Sequence, residues 1–470
     1  MLVFIYWYFI NFIIRLTQHS DQKKESHKLM GTVKSRGLGF FAFFICLPAV
    51  HAESLREVVE YTINNNPTVR AEAAERSAFE KRIDQARAGY FPTLDINAGY
   101  GYEQSDNPST RGRGKGSVSE SREELGFTAR QMLFDGFLTK NEVSRQTAAT
   151  NAEAYGVYGE AEFRALDAVR AYINVLRRQE LLDLARENLE IHRTTNDQVK
   201  LRTERGVGKM ADLEQSVSRL ARAETNEKAE FGNLQDARTE FLRVVGKLPE
   251  ELEEPEKPDA AIPSDIDAAV EQALAEHPIL KAAEADIEEA MAQMDAAESP
   301  FFPTLHAELS GRADSDLDGI PGDDDEFQAM LRLRYNLFSG GRDNARLKET
   351  AFLLNQAKEI RDDTYRQVIE SMRRSWVAYE TVSNQIDFFR EHRDSAIKTH
   401  EAYQQQFNIG QRTLLDLLDS ANEMFTAKSD YANAKYDQVF AMHRILASMG
   451  ALNNYLGVIL PEEATPLPKK

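Results

Sequence analysis

Asp416 and Asp419 stand three residues apart, just past Gly410, in a stretch of helical character. That spacing sets both carboxylates on one helical face. Acids in a first turn complement the helix dipole by about 0.3–1 kcal/mol each. A second acidic group, Asp314-x-Asp316-x-Asp318-Gly319 with Asp325 at the twelfth position, has the spacing of a calcium loop. It departs from an EF-hand in two ways: Asp replaces the final Glu, and strand-like rather than helix-like segments flank it. A solvated acidic loop is the other reading of these residues. The nine histidines are scattered with no metal-spaced pair, and no nucleophile motif stands out. The chain is therefore expected to be neither an enzyme nor a cofactor carrier.

The segments that must position these residues occur twice. Asn66-Pro67 and Phe91-Pro92-Thr93-Leu94 answer His277-Pro278 and Phe302-Pro303-Thr304-Leu305 at a spacing of 211. Leu133-Phe134-Asp135-Gly136 answers Leu337-Phe338-Ser339-Gly340, and Gly206, Asp212 and Leu213 answer Gly410, Asp416 and Leu417, now 204 apart. One loop of the second copy is therefore seven residues shorter. An internal duplication with so few gaps means one unit used twice, each in the order helix, two strands, helix, helix. The copies span 53–246 and 264–457, separated by an acidic, Pro-rich connector (247–263) read as a surface segment, and 458–470 reads as a flexible tail.

Strand patterns are confined to two places. Leu94, Ile96, Ala98, Tyr100 and Tyr102 alternate with polar or small residues, as do Leu125, Phe127, Ala129 and Leu133. The second copy repeats this with Leu305, Ala307 and Leu309, then Phe327, Ala329, Leu331, Leu333, Tyr335 and Leu337. Period-two alternation puts the apolar side chains on one face, and the Arg- and Glu-bearing face must see water. Each strand is about ten residues, enough to span a bilayer when tilted. A surface hairpin packed on helices would show the same alternation. A membrane sheet tolerates no open edge, and closed barrels need about eight strands or more, so four strands require a barrel shared between subunits.

The remainder reads as helix. Phe137 to Arg205 holds no Pro, and Arg342 to Ile409 matches it in length, about 100 Å each at 1.5 Å per residue. In the second, Val368, Met372, Ser375, Tyr379, Val382, Ile386 and Phe389 keep a sustained 4-3 spacing, the pattern of coiled-coil packing. Flanking helices of about half that length, Ser54–Gly89 and Lys209–Val245, then Ser264–Ser299 and Thr413–Met449, can stack end to end beside the long ones. Each copy then makes a rod, and the matched lengths favour a hollow cylinder or a long hairpin rod over a compact bundle.

The first residues have a different composition. Lys34 and Arg36 precede an apolar run, Gly39–Leu47, and Ala49-Val50-His51-Ala52, the pattern of a secretory signal ending at Ala52. The earlier apolar run, Met1–Ile14, reads as an upstream start-site extension, with an extra anchor as the alternative. Cys46, the single cysteine, follows Ile45 rather than a small residue and would leave with the signal. Residues 1–52 hold six basic and two acidic residues, so their removal takes the formal charge from −19 to −23. So acidic a chain has no electrostatic footprint for nucleic acid.

The duplication, the paired Phe-Pro-Thr-Leu segments and Phe407-Asn408-Ile409-Gly410-Gln411-Arg412-Thr413-Leu414-Leu415-Asp416-Leu417-Leu418-Asp419 resemble the TolC family of outer-membrane channel proteins, over about residues 53–457. The resemblance implies a mainly α fold with membrane β. It implies a homotrimer whose twelve-stranded barrel, four strands per subunit, sits in outer-membrane lipid and continues into a long α-helical periplasmic barrel. It further implies that Asp416 and Asp419 form acidic rings at the periplasmic mouth, favouring cations and able to bind divalent ions. Arg412 matches the gate arginine and Asp212 its partner, while Phe407 stands where the family has a tyrosine and so lacks one gate hydrogen bond. Gly206, Gly208 and Gly410 mark the periplasmic turns.

The implied partners are a periplasmic adaptor and an inner-membrane ABC or other transporter. The cargo would be a secreted protein or a small molecule. Gln131-Met132-Leu133-Phe134-Asp135-Gly136-Phe137, Asn141-Glu142-Val143 and Arg202-Thr203-Glu204-Arg205-Gly206-Val207-Gly208 are most similar to members serving type I secretion, with efflux as the alternative. A coiled-coil or adhesin stalk is the competing class, but it needs neither paired amphipathic strands nor aspartates behind a glycine turn. The basic loop, with Arg111, Arg113 and Lys115, is expected to meet the acidic 311–326 loop across the barrel mouth.

Overall fold

The computed structural model describes residues 52–468, so Cys46 and nearly all of the expected signal segment lie outside the described residues. The first copy comprises α1 (Leu55–Asn65), α2 (Pro67–Arg87), β1 (Thr93–Ser105), β2 (Val118–Phe134), α3 (Leu138–Glu204) and α4 (Met210–Val245). The second comprises α5 (Ile266–Glu276), α6 (Pro278–Ala297), β3 (Thr304–Ser315), β4 (Asp323–Arg334), α7 (Arg342–Asn408) and α8 (Leu414–Ser448). The two long helices, α3 and α7, are 67 residues each.

The half-length helices expected before each hairpin are broken. Asn66 and His277 adopt extended backbone (ψ 125° and 123°) because the proline that follows each excludes the helical region. Each then caps the next helix: Asn66 Oδ1 accepts the Thr68 N–H at 2.9 Å, and His277 Nδ1 accepts the Ile279 N–H at 3.3 Å. Proline at the first helical position costs no hydrogen bond there.

The copies do not stand as separate rods. α6 packs against both α3 and α7, and α8 packs against both as well, so the second copy's short helices fill the space between the two long ones. The expected 4-3 stripe on α7 faces this packing. Val368, Met372, Ser375 and Ile386 are buried, and Tyr379, Val382 and Phe389 half-buried. Ser375 meets Ser448 of α8 at 2.8 Å between hydroxyls.

The main core gathers Val58, Val59 and Ile63 of α1, Tyr172 and Ile173 of α3, Phe241 of α4 and Ile445 and Leu446 of α8. The Tyr172 hydroxyl lies 2.8 and 2.6 Å from the Glu53 and Glu253 carbonyl oxygens. Glu53 also exchanges backbone hydrogen bonds with Glu251 and Glu253. The acidic connector is thus pinned to the start of α1, and Pro255 and Pro258 are buried in it.

The tail expected to be flexible is packed. Leu467 donates its N–H to Asn151 Oδ1 at 2.7 Å, and Ala464 is buried. Upstream, buried Glu162 of α3 accepts the Leu452 and Asn453 N–H groups at 3.1 and 3.0 Å. Burial pushes its carboxyl up to about 7. The tail's prolines read as disorder in sequence, but side chains of α2 and α3 supply its backbone partners.

The four strands form one antiparallel sheet in the order β1-β2-β3-β4. They run 13, 17, 12 and 12 residues, longer than expected, and β4 stops at Arg334 before Tyr335 and Leu337. Most of the expected acidic loop is strand, leaving only 316–322 between β3 and β4. Among the described residues no helix is long and apolar enough to cross a membrane.

Candidate functional site

Two regions carry the residues of interest: the tips of the α3–α4 and α7–α8 hairpins, and the sheet. At the first tip Gly206 takes φ +77° and at the second Gly410 takes φ +78°, the left-handed conformation that closes a helix C-terminus. The closing bonds are equivalent. Gly206 donates to Thr203 O and Val207 to Arg202 O, while Gly410 donates to Phe407 O and Gln411 to Gln406 O. At the first tip Gly208 also bonds Arg202 O, and a Cβ there would sit 2.8 Å from the Thr203 backbone nitrogen.

The tips pack on each other within the subunit through Val199, Phe407, Leu414, Leu417, Leu418 and Leu213. Phe407 is buried, with the Arg202 guanidinium over its ring at 4.7 Å. The position that lacks a tyrosine hydroxyl therefore holds an arginine through its ring face instead.

The two aspartates have unlike roles. Asp416 closes a capping box: its carboxylate accepts the Thr413 hydroxyl at 2.8 Å and N–H at 3.2 Å, and its own N–H donates to Thr413 Oγ1. The Thr413 hydroxyl and N–H hold its carboxyl below the usual range. Asp419 instead pairs with Arg219 of α4 at 2.9 Å, joining the two hairpins. Arg412 stacks on Tyr403 at 4.2 Å, donates to Gln406 Oε1 at 3.0 Å and lies 3.9 Å from Asp416. Within one subunit, no ion pair joins it to Asp212 among the described residues.

Above the tips a buried polar pair recurs at the 204-residue spacing. Ser216 meets Asn196 at 2.9 Å in the first hairpin, and Ser420 meets His400 at 3.0 Å in the second. His192 of α3 is also buried. Burial lowers the affinity of both histidines for a proton, with Arg219 and His400 adding to the effect at His192 and Lys428 at His400. The sequence reading missed Arg202, Arg219 and these pairs. The 204-residue repeat of Ser216 and Ser420 was the available signal.

These contacts make a soft joint. A half-exposed ion pair is worth about 0–1 kcal/mol and an exposed cation–π contact about 0.5–1 kcal/mol. Parting the tips exposes the small apolar cluster around Phe407, which is separate from the main core.

The calcium reading fails on geometry. Asp314 lies in β3, bound to Arg312 at 3.0 Å, and Asp325 lies in β4. Asp316 accepts the Gly322 N–H at 2.9 Å, while the Asp318 carbonyl accepts from Asn107. No group of three or more potential metal ligands comes together among the described residues. The two loops do meet, through that Asn107–Asp318 bond rather than an ion pair, and Arg111 pairs with Asp106 of its own loop at 2.7 Å.

The sheet's other face is apolar and exposed: Tyr100 (80 %), Ile96 (71 %), Leu331 (70 %) and Phe327 (68 %) head a continuous band. β1 and β4 each leave one edge unpaired in the subunit.

The family model for outer membrane efflux proteins matches residues 58–247 and 269–451. The outer membrane efflux protein BepC of Brucella suis is 26% identical over 414 residues, covering 86% of this chain and 87% of that protein. The outer membrane protein TolC of Escherichia coli is 24% identical over 419 residues, covering 86% and 83%. The alkaline protease secretion protein AprF of Pseudomonas aeruginosa is 23% identical over 428 residues, covering 88% of each. Among solved structures, the outer-membrane channel OprN superposes with a TM-score of 0.70 at 19% identity, covering 84% of this chain and 90% of that one. Two matched helix–hairpin–helix copies, joined at soft tips and carrying an exposed apolar sheet, place this chain in the outer membrane efflux protein family, the TolC-type channels of the outer membrane.

Proposed function

We propose that three copies close a twelve-stranded barrel in the outer membrane and that the chain serves as a passive exit duct for type I protein secretion. The observation that carries this is the sheet: four strands, both edges open, one face a continuous exposed apolar band. An open edge in hydrocarbon costs several kcal/mol per unpaired group, so β4 of one subunit pairs with β1 of the next. The helices then line a periplasmic tunnel that meets an adaptor and an inner-membrane transporter. The chain performs no catalysis of its own and needs no cofactor. Arg412 and Asp212, apart within the subunit, link neighbouring subunits at the tunnel's closed end, and Asp416 and Asp419 line that end.

Secretion rather than efflux is favoured by the Gln131–Phe137 and Arg202–Gly208 segments and by likeness to AprF, whose name records protease secretion. Efflux remains the second reading because the family and BepC are named for it. Deleting the gene in its host and comparing secreted proteins with drug susceptibility separates the two. Loss of one or a few large secreted proteins with unchanged susceptibility is expected. Unchanged secretion with heightened susceptibility would overturn the secretion reading. A purified chain that stays a soluble single polypeptide without detergent would overturn the duct itself.

A further inference from the structure

The water-facing side of the sheet is charged unevenly along its length. Directly opposed residues of an antiparallel sheet share a face, so the register assigns every side chain. At the end next to the helices, Arg130 opposes Glu308, and Arg332 and Arg334 lie in the adjoining rows of β4. Glu308 is held from both sides, by Arg130 at 3.4 Å and by Arg332 at 2.9 Å. Two guanidiniums thus share one carboxylate, Arg334 opposite Thr304 adds a third positive charge, and Asp95 opposite Thr128 is the other acid on this part of the face. At the far end Glu124, Asp314 and Asp324 form one row across three strands, with Glu326 in the next. Arg312 sits among them, 3.0 Å from Asp314, 3.6 Å from Asp324 and 3.2 Å from Glu326, and Arg122, on the same face, pairs with Glu124 and with Glu103 of β1. Here two guanidiniums stand among five carboxylates, and the negative charge is in excess.

The two groups do not cancel each other. Arg130 and Glu124 are six residues apart on one strand, about 20 Å at 3.3 Å per residue. That is about two Debye lengths at 0.1 M ionic strength, so each end sets its own local ion atmosphere. Three copies around one lumen triple both charges.

We propose that the barrel lumen is axially polarised, with a basic ring of Arg130, Arg332 and Arg334 at the tunnel end that gathers anionic solutes and an acidic ring of Glu124, Asp314, Asp324 and Glu326 at the outer end that gathers cations. This rests on the duct reading, with the polar face turned inward. Charged rings in series have a directional consequence. When the outer side is positive, anions enter through the basic ring and cations through the acidic ring, and carriers accumulate between them. When the field is reversed, both are drawn out and the middle is depleted. The duct therefore rectifies, and acidic stretches of cargo arriving from the tunnel meet an attractive ring first.

The test uses the mature chain added to one chamber of a planar bilayer, so that its helical part stays on that side. At about 0.1 M KCl the current is expected to be about twofold larger with the far side positive, and near-symmetric at about 1 M, where the Debye length shrinks to about 3 Å. Arg332→Gln with Arg334→Gln should weaken rectification and raise cation selectivity. Asp324→Asn with Glu326→Gln should weaken it and lower cation selectivity. All four side chains are exposed or half-exposed, so the barrel is expected to assemble in both variants. Rectification unchanged in both variants, or a symmetric current in the parent at low salt, overturns the polarised lumen and leaves the duct standing. Absence of any current in every protein overturns both.

Discussion

The two hairpin tips share a backbone and differ in chemistry. Both close on equivalent carbonyls, Arg202 and Gln406, through equivalent glycines. The second tip then starts its return helix with a full capping box, Thr413 with Asp416, whereas Lys209 offers α4 no side-chain cap. The first tip is instead drawn tight by Gly208, where the second has Arg412. Duplication supplied the scaffold, and later substitution divided the labour: one tip is held by a close turn, the other by polar side chains. A joint between unlike halves can respond to conditions that a symmetric one would ignore.

The largest expected effect breaks the first tip alone. In Gly208→Ala the new Cβ meets the Thr203 backbone at 2.8 Å, and overpacking of this kind costs about 1–3 kcal/mol. Hydrogen exchange of the 203–213 amides should quicken by one to two orders of magnitude, with the 407–417 amides unchanged. Equal protection in both tips would show that the close turn does not set the first tip's stability.

Acid should act through His192 of the first hairpin and His400 of the second, but only the second has a histidine in its serine pair, because His400 stands where the first has Asn196. The proton affinity of His400 is lowered in the packed state, so the separated state binds more protons. The joint is then at full strength above the ordinary histidine pKa of about 6.5 and weakens as pH falls below it, by up to about 1.4 kcal/mol per pH unit for each histidine. Ser420 and Lys428 of α8, Glu187 and His192 of α3 and its own neighbour Glu401 face His400, and Lys428 is already held by Glu187 at 2.7 Å. His192 faces Arg219 and His400. Open probability in single-channel records should rise from pH 7.5 to about 5.5. His400→Asn should remove about half of that rise, leaving the share of His192. An identical profile in the variant would assign the response elsewhere.

Thr413→Ala sharpens the contrast further. Loss of the cap should cost about 1 kcal/mol, read as faster exchange at Asp416 and Leu417, while Lys209→Ala at the equivalent position should change nothing measurable.

The sequence made the scaffold legible because repetition is read from landmarks rather than propensities. The paired Pro-Thr-Leu segments begin the first strand of each copy, at Thr93 and Thr304, and the matched long helices are equal at 67 residues. The 4-3 stripe from Val368 to Phe389 faces inward along its whole length. The contacts between copies were not legible. Arg219 meets Asp419 across 200 residues, and α6 divides itself between two long helices, because sequence spacing carries no information on which helices become neighbours. The acidic 314–325 run misled for another reason. A calcium-loop spacing counts residues, but strand pairing from Asp323 onward turns alternate aspartates to opposite faces, so the ligands cannot converge.

The smallest effect tests the link between the tips. Arg219 and Asp419 are 2.9 Å apart, with side chains 28 % and 57 % exposed, so water screens them and the pair should contribute about 0–1 kcal/mol. Removing one partner alone has opposite electrostatic consequences on the two sides. Asp419→Asn leaves Arg219 facing buried His192, whose proton affinity it already lowers, so the acid-driven opening should begin at lower pH or stay where it was. Arg219→Gln frees His192 to take a proton more readily, so opening should begin at higher pH. A double-mutant cycle on open probability at pH 7.5 gives the pair's own coupling, and a shift of onset between the single variants gives its influence on the histidine. Coupling that vanishes, together with an onset that moves the same way in both variants, would mean that the two hairpins are held by Phe407 and its apolar neighbours alone.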